Sequence, residues 1–264
     1  MFVGVDIGGS SSRVALFAPH GSSKILRRIE FRNSGNYKND LVNLIAAIEK
    51  ISPQKIDGIH VGIAGILNSR KTALAHSSNL SGWERCPLKN DLVKFFCCKV
   101  SLENDTVTAA RGEALFGANR GCDFLFVIWG SGIGGCFVNF RNGGLRLENF
   151  ELGHIPFDRR GARCGCGRRG CSEVFCGGKG IYRKYKKEPQ NLNEKEWVEV
   201  CADFAKGLRK VLVSREIPLV VFGGGISCKQ KKHVRQIAQL LSVKIKITNL
   251  GEDAGLIGGV GLLH

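Results

Sequence analysis

No uninterrupted apolar run in the 264 residues approaches the length of a membrane span. The N-terminal stretch MFVGVDIGG lacks a basic region and a cleavage pattern, so a cytoplasmic protein without membrane partners is expected. Low-complexity segments and polar tails are also missing, and 43% hydrophobic with 8% aromatic residues suits a folded globular chain. A Gly-Lys-Ser/Thr sequence opening a helix is absent, which excludes a Walker phosphate loop. Acidic residues are scarce, 23 against 39 basic ones, for a net charge of +16. Such a field favours anionic ligands, nucleotides or nonspecific nucleic acid. The basic residues are nevertheless spread along the chain, and the densest runs, 179–187 and 229–235, carry no DNA-reading motif. A solvated basic surface with no specific nucleic-acid partner is therefore the expectation.

Cysteine is plentiful, with eleven residues, but the odd count does not suggest a disulfide framework. The informative stretch is residues 151–173, ELGHIPFDRRGARCGCGRRGCSE. Cys164, Cys166 and Cys171 fall within eight residues rich in glycine and arginine, with too few apolar neighbours to form a core. Three thiols and one imidazole make a common tetrahedral zinc set, with Gly165, Gly167 and Gly170 allowing a tight backbone. Taken alone, His154 would read as an ordinary hydrogen-bonded histidine.

Along the chain, residues 2–7 read as a buried strand and residues 8–12 as a glycine turn into a second strand at 13–17. The turn reads as an ordinary hairpin or as a phosphate loop, where glycines admit close approach and hydroxyls donate. Asp6 could hold magnesium through water. Residues 40–51 form a helix with Leu41, Leu44, Ile45 and Ile48 on one apolar face. Strands follow at 58–64 and 99–103, then a helix at 106–117 for which Asn104 and Asp105 are capping candidates. Residues 124–130, a loop at 131–135 and a strand to 140 repeat the strand, glycine loop, strand pattern. An amphipathic helix at 196–213 turns Trp197, Cys201, Phe204, Leu208 and Val211 inward. A strand at 219–222 ends in Gly223, Gly224 and Gly225, a turn or a place for a flat ligand. A helix at 229–241, a strand at 243–248 and a glycine-rich helix at 253–263 complete the reading.

The spacing E-x-G-H, then C-x-C-G-x-x-G-C-x-E ten residues after the histidine, resembles the signature of the ROK proteins (repressors, open reading frames and sugar kinases). The resemblance implies zinc ligands at His154, Cys164, Cys166 and Cys171, and sugar contacts at Glu151, His154 and Glu173. D-I-G-G-S at residues 6–10 is similar to the family's first phosphate motif, with Ser10 in place of Thr and Ser11 where many relatives carry Lys. Residues 130–135 resemble the second, with Ser131 again replacing Thr, and residues 223–225 the adenosine motif. N-L-S-G-W at 79–83 is similar to a glucokinase segment in which Asn79 would approach the sugar, although a turn role serves it equally. E-N-D-x-x-x-A-A-x-G-E at 103–113 matches the catalytic segment, making Asp105 the implied general base and Asn104 a sugar ligand. The dipole of the following helix favours an ionised Asp105, a weaker base toward an alcohol, but phosphoryl transfer depends mostly on positioning. Cys176, where relatives often have Ser, is assigned packing only.

The implied fold is α/β, a two-lobed actin-like (ribonuclease H-like) ATPase with a nucleotide/sugar cleft. Residues 1–108 plus 250–264 would form a smaller lobe, and 109–249 a larger one bearing the zinc loop. The implied activity is an ATP-dependent hexose kinase acting on the 6-hydroxyl of glucose or a close relative. Mg2+-ATP would rest on Asp6, Gly8, Gly9, Ser10, Ser11, Gly130, Ser131, Gly132, Gly223, Gly224 and Gly225. Fructose and N-acetylhexosamine kinases share these motifs, and a homodimer is common among relatives. The family also includes sugar-sensing repressors. Those carry a helix-turn-helix domain ahead of the first phosphate motif, for which a motif starting at residue 6 leaves no room.

Overall fold

A computed structural model describes every residue except 19, 20, 53, 142, 261, 263 and 264. The chain divides into two compact units, residues 1–116 with 253–264, and residues 117–252.

In the first unit, β1 (Phe2–Ile7), β2 (Ser11–Phe17) and β3 (Ile25–Arg32) form an antiparallel meander. Helix α1 (Tyr37–Ile51) leads into β4 (Gly58–Ile63), which is parallel to β1. A small hairpin, β5 (Ile66–Leu67) and β6 (Leu74–His76), precedes α2 (Leu88–Phe96). Strand β7 (Lys99–Asn104), parallel to β4, then runs directly into α3 (Asp105–Phe116). The sheet order is β3-β2-β1-β4-β7. Every residue of β1 and β4 is buried, as central strands covered on both faces require.

The second unit repeats this order, as β10-β9-β8-β11-β12. Its meander is β8 (Phe124–Trp129), β9 (Ile133–Arg141) and β10 (Gly144–Phe150). The connection onward carries α4 (Ser172–Cys176), α5 (Gly178–Tyr185) and α6 (Glu194–Ser214). Strand β11 (Val220–Gly223), α7 (Gly225–Lys229), α8 (Lys231–Leu241) and β12 (Ile245–Ile247) complete the unit. Its core centres on Trp129, whose ring lies 4.7 Å from Phe204 and 6.0 Å edge-on from Trp197. The indole N–H donates to the Cys176 carbonyl at 2.7 Å. The Cys176 side chain is fully buried, in keeping with a packing role.

The chain returns to the first unit as α9 (Ala254–Ile257), which lies against α3. A Cβ at Gly258 would stand 1.7 Å from the Thr108 carbonyl oxygen, and one at Gly112 only 2.5 Å from that of Ala254. Side chains cannot be accommodated at either position, so the two backbones meet directly.

Several elements differ from expectation. Helix α1 begins at Tyr37 because Asn36 caps it, accepting from the Asn39 N–H. The strands β3 and β10 did not stand out from sequence because both are outer strands in which charged residues interrupt the apolar ones. The helix expected at 229–241 is α8, which starts two residues later because Gln230 leaves the helical region at φ −111° and ψ 48°, and Lys229 ends the separate α7. The terminal helix expected at 253–263 is reduced to the four residues of α9, where Gly255, Gly258 and Gly259 favour close packing over helix length; residues 261 and 263 fall outside the described residues. Helix α6 agrees in its inward face, and a capping box between Asn193 and Glu196 starts it two residues earlier.

His60 on β4 supports α3 from beneath, its Nε2 3.1 Å from Thr108 Oγ1 and its Nδ1 2.8 Å from Ser101 Oγ. Burial, reinforced by the positive charge of Arg111, lowers its pKa to about 3. The folded state therefore holds a neutral ring that the unfolded chain protonates near pH 6.5. Its contribution is complete above that pH and is lost as pH falls toward about 3, at up to ~1.4 kcal/mol per pH unit. Urea unfolding between pH 7 and pH 4 is expected to show this decline, and a His60→Gln variant a flatter one; parallel profiles would refute the assignment.

Candidate functional site

In the first unit the β1–β2 turn is tied back on itself, with the Gly8 N–H donating to the Ser11 carbonyl at 3.0 Å. Asn33 closes it from the side, donating to the Gly8 carbonyl at 2.7 Å and accepting from Ser12 Oγ at 2.7 Å. Gly9 lies against Asn79, whose Cβ would be 2.7 Å from a Cβ at position 9. Expected phosphate and sugar residues thus meet here. Ser10 at the tip is exposed.

Asp6 is buried and forms an ion pair with Arg13. The two are direct cross-strand partners in the β1–β2 register. Arg13 was not singled out from sequence, although counting back across the turn places it opposite Asp6. Its position two residues beyond Ser11 puts it on the same face of β2 as that residue.

Asn104 ends β7, and Asp105 begins α3. The Asn104 Oδ1 accepts from the N–H groups of Thr106 at 3.0 Å and Val107 at 3.1 Å, so it caps the helix. Its Nδ2 donates to the Gly65 carbonyl at 3.0 Å, leaving one amide hydrogen for another partner. Gly65, at φ 133°, cannot carry a side chain there, since a Cβ would stand 2.7 Å from the His76 carbonyl. Ser77 donates to the Ala64 carbonyl at 2.8 Å and accepts from the Asn79 N–H at 3.3 Å. Asn79 and Asn104 are therefore linked through residues 64–65 and 77.

In the second unit the loop at 130–132 is pinned from the start of α5. The Gly178 and Lys179 N–H groups donate to the Gly130 and Ser131 carbonyls at 2.8 and 3.1 Å. Gly224, at φ 88°, rests on the Trp129 backbone, where a Cβ would come within 2.7 Å of its carbonyl. The second glycine loop and the 223–225 loop are thus neighbours. Glu173 on α4 accepts from the Ile133 N–H at 2.9 Å, and Gly153 packs against both residues. Glu151 is exposed, with a carboxylate oxygen 3.9 Å from His154 Nε2.

The other face of the same imidazole belongs to the cysteines. His154 Nδ1 lies 3.3 Å from Cys164 Sγ, and Cys166 Sγ lies 3.7 Å from Cys171 Sγ. All four donor atoms fall within 4.8 Å of one another, an arrangement that could hold a metal ion. Burial raises the Cys164 thiol, and it drives Cys171, with a contribution from its Cys166 hydrogen bond, up to about 12. A cation at the centre would favour the opposite, ionised state.

The ROK family model matches residues 2–264. The chain belongs to the ROK family. It is 28% identical to a glucokinase of Thermotoga maritima, over 99% of this chain and 96% of the relative. It is 26% identical to an N-acetylmannosamine kinase of Escherichia coli O6:H1, over 96% of this chain and 95% of the relative. In structure it is similar to a ROK family glucokinase from Streptomyces griseus in complex with glucose and AMPPNP. That comparison has a TM-score of 0.78 and 22% identity, covering 99% of this chain and 98% of the other. The fold of this ROK chain is accordingly the actin-like, ribonuclease H-like ATPase fold, and its curated relatives include sugar kinases acting on different sugars.

Removing the Asn104 cap is expected to cost about 1 kcal/mol, and up to ~2 kcal/mol, in an Asn104→Ala variant. Asn104→Asp should recover most of this by retaining the acceptor. Urea midpoints read the difference, and equal losses in the two variants would show that the cap is not the source.

Proposed function

We propose that this ROK protein is an ATP-dependent hexose kinase, a glucokinase-type phosphotransferase that phosphorylates the 6-hydroxyl of glucose or a close relative. The observation that carries the proposal is the Asn104-Asp105 junction. A capped helix start holds a carboxylate at the end of β7, within a segment that matches the family's catalytic motif. Asp105 accepts the proton of the attacking hydroxyl, and Asn79, Asn104, Glu151, His154 and Glu173 bind the sugar hydroxyls. The backbone N–H groups and hydroxyls of residues 8–11 and 130–132 receive the phosphates, and the 223–225 loop receives the adenosine. Bound magnesium would neutralise charge on the phosphates, and Asp6 would hold it through water. Arg13 keeps the Asp6 carboxylate oriented.

A structural zinc ion fits the four-donor cluster. Tetrahedral bonds of about 2.3 Å to sulfur and ~2.0 Å to nitrogen put sulfurs roughly 3.7 Å apart and sulfur and nitrogen roughly 3.5 Å apart. The observed 3.7 Å and 3.3 Å support that geometry. With Nδ1 directed to the cluster, His154 keeps Nε2 for a sugar hydroxyl. The metal is thus assigned a structural task, fixing one of the sugar contacts.

The near-equal identity to an N-acetylmannosamine kinase supports a second reading, in which the substrate is an N-acetylhexosamine. A sugar-sensing protein without turnover is the other alternative. ADP release with Mg2+-ATP over glucose, mannose, fructose, N-acetylglucosamine and N-acetylmannosamine separates these. Turnover with one sugar, reduced about 10²–10⁴-fold by Asp105→Asn, is expected; sugar binding without turnover on the whole panel would point to the sensor. Prolonged chelation should release the zinc and abolish phosphorylation by freeing residues 151–173. A chelated protein with full activity would remove the structural role assigned to the metal.

A further inference from the structure

The cysteine-bearing segment has a second feature that the sugar site does not use. Residues 162–170 form a short hairpin, with the Gly170 N–H donating to the Ala162 carbonyl at 2.9 Å and the Cys164 N–H to the Arg168 carbonyl at 2.8 Å. Between these two bonds, Arg163 and Arg169 face each other as antiparallel partners. This is a non-hydrogen-bonded rung, the closer of the two kinds, with Cα atoms about 4.5 Å apart and both side chains on one face. Like charges directly opposite on such a rung are destabilising. Alternation along the strand places this face opposite the one that presents Cys164 to the cluster.

Nothing described offsets the repulsion. Arg163 and Arg169 are exposed, as are Arg159, Arg160 and Arg168. Among the described residues, the one carboxylate in this stretch, Asp158, accepts from the Arg160 backbone, and no ion pair is formed by any of the five arginines. Arg169 donates to the Gly161 carbonyl, at 3.4 Å. Two arginines facing each other across a short, tightly bonded hairpin offer a pair of forks, each matched to a phosphate group.

We propose that this arginine face docks the phosphate backbone of nucleic acid without reading its sequence. Five exposed arginines within residues 159–169, three of them on the hairpin, suit a polymer of phosphates rather than a single anion. Residues 158–170 contain no aromatic side chain, so base stacking makes no contribution and recognition is electrostatic. They also contain no large apolar side chain to insert into a membrane, which disfavours an anionic lipid surface. The inference is independent of the kinase reading.

The test is fluorescence anisotropy of a labelled 20-nucleotide oligouridylate with the full chain as purified, across 50 to 200 mM salt. The wild type should bind at low salt, with log K falling linearly as log salt rises. Replacing both arginines (Arg163→Gln with Arg169→Gln) should reduce that slope by about 1.4, for two lost contacts to a single strand. A control with the same net charge change, Lys229→Gln with Lys232→Gln on α7 and α8, should match the wild type. The charge-retaining pair Arg163→Lys with Arg169→Lys should keep the slope but bind several-fold more weakly. That pair decides the matter if the glutamine variant fails to fold. The proposal is overturned by absent binding at 50 mM salt, by equal losses in the control, or by unchanged affinity in the lysine pair. It is equally overturned if polyglutamate or phosphatidylserine vesicles bind as well as the oligonucleotide.

Discussion

Close approach to the backbone of a glycine, possible only where no Cβ intervenes, is the constraint on which the candidate site depends. Gly9 admits Asn79, Gly224 admits the Trp129 carbonyl, and Gly153 admits that of Ile133. Each contact brings together two segments far apart in sequence, and each would be blocked by a single methyl group. The same device joins α3 to α9 at Gly112 and Gly258. Glycine is entropically costly in the unfolded chain, and here that cost is offset by approaches that no other residue allows.

His154 is the point at which two chemistries share one ring. Its Nδ1 faces Cys164 and its Nε2 faces Glu151. The Cys171 thiol reaches the His154 carbonyl at 3.5 Å, and residues 155–157 pair with 170–172, so the imidazole is also held through its backbone. A ligand set that fixes this ring therefore fixes the spacing between the cysteines and the Glu151 carboxylate.

Much of this was legible before any coordinates. The mostly apolar runs of β1, β4 and β8 pointed to interior strands, and the glycines at the ends of β1, β8 and β11 marked their limits. The three cysteines of the four-donor cluster stood out by residue type and spacing, and His154 joined them through the family resemblance. What escaped were features set by tertiary partners. The outer strands β3 and β10 interrupt their apolar residues with charged ones and are defined by the neighbours they pair with. Arg13 became significant only through its register against Asp6. The dual role of Asn104, cap and donor to Gly65, needed a loop from nearly forty positions earlier, |i−j| = 39, to be in place. The expected terminal helix is short because its glycines serve close contacts, Gly258 with α3, Gly255 with Asp6 and Gly259 with His60.

The return of α9 to the first unit has a consequence for synthesis on the ribosome. Residues 117–252 must all emerge before the segment that packs on α3 exists. At bacterial-like rates of roughly 5–20 residues per second, that delay is on the order of ten seconds. The second unit is continuous in sequence and can close as soon as it clears the exit tunnel. The half translated first is therefore the half finished last, waiting with the backbone of α3 uncovered for its final strip of chain.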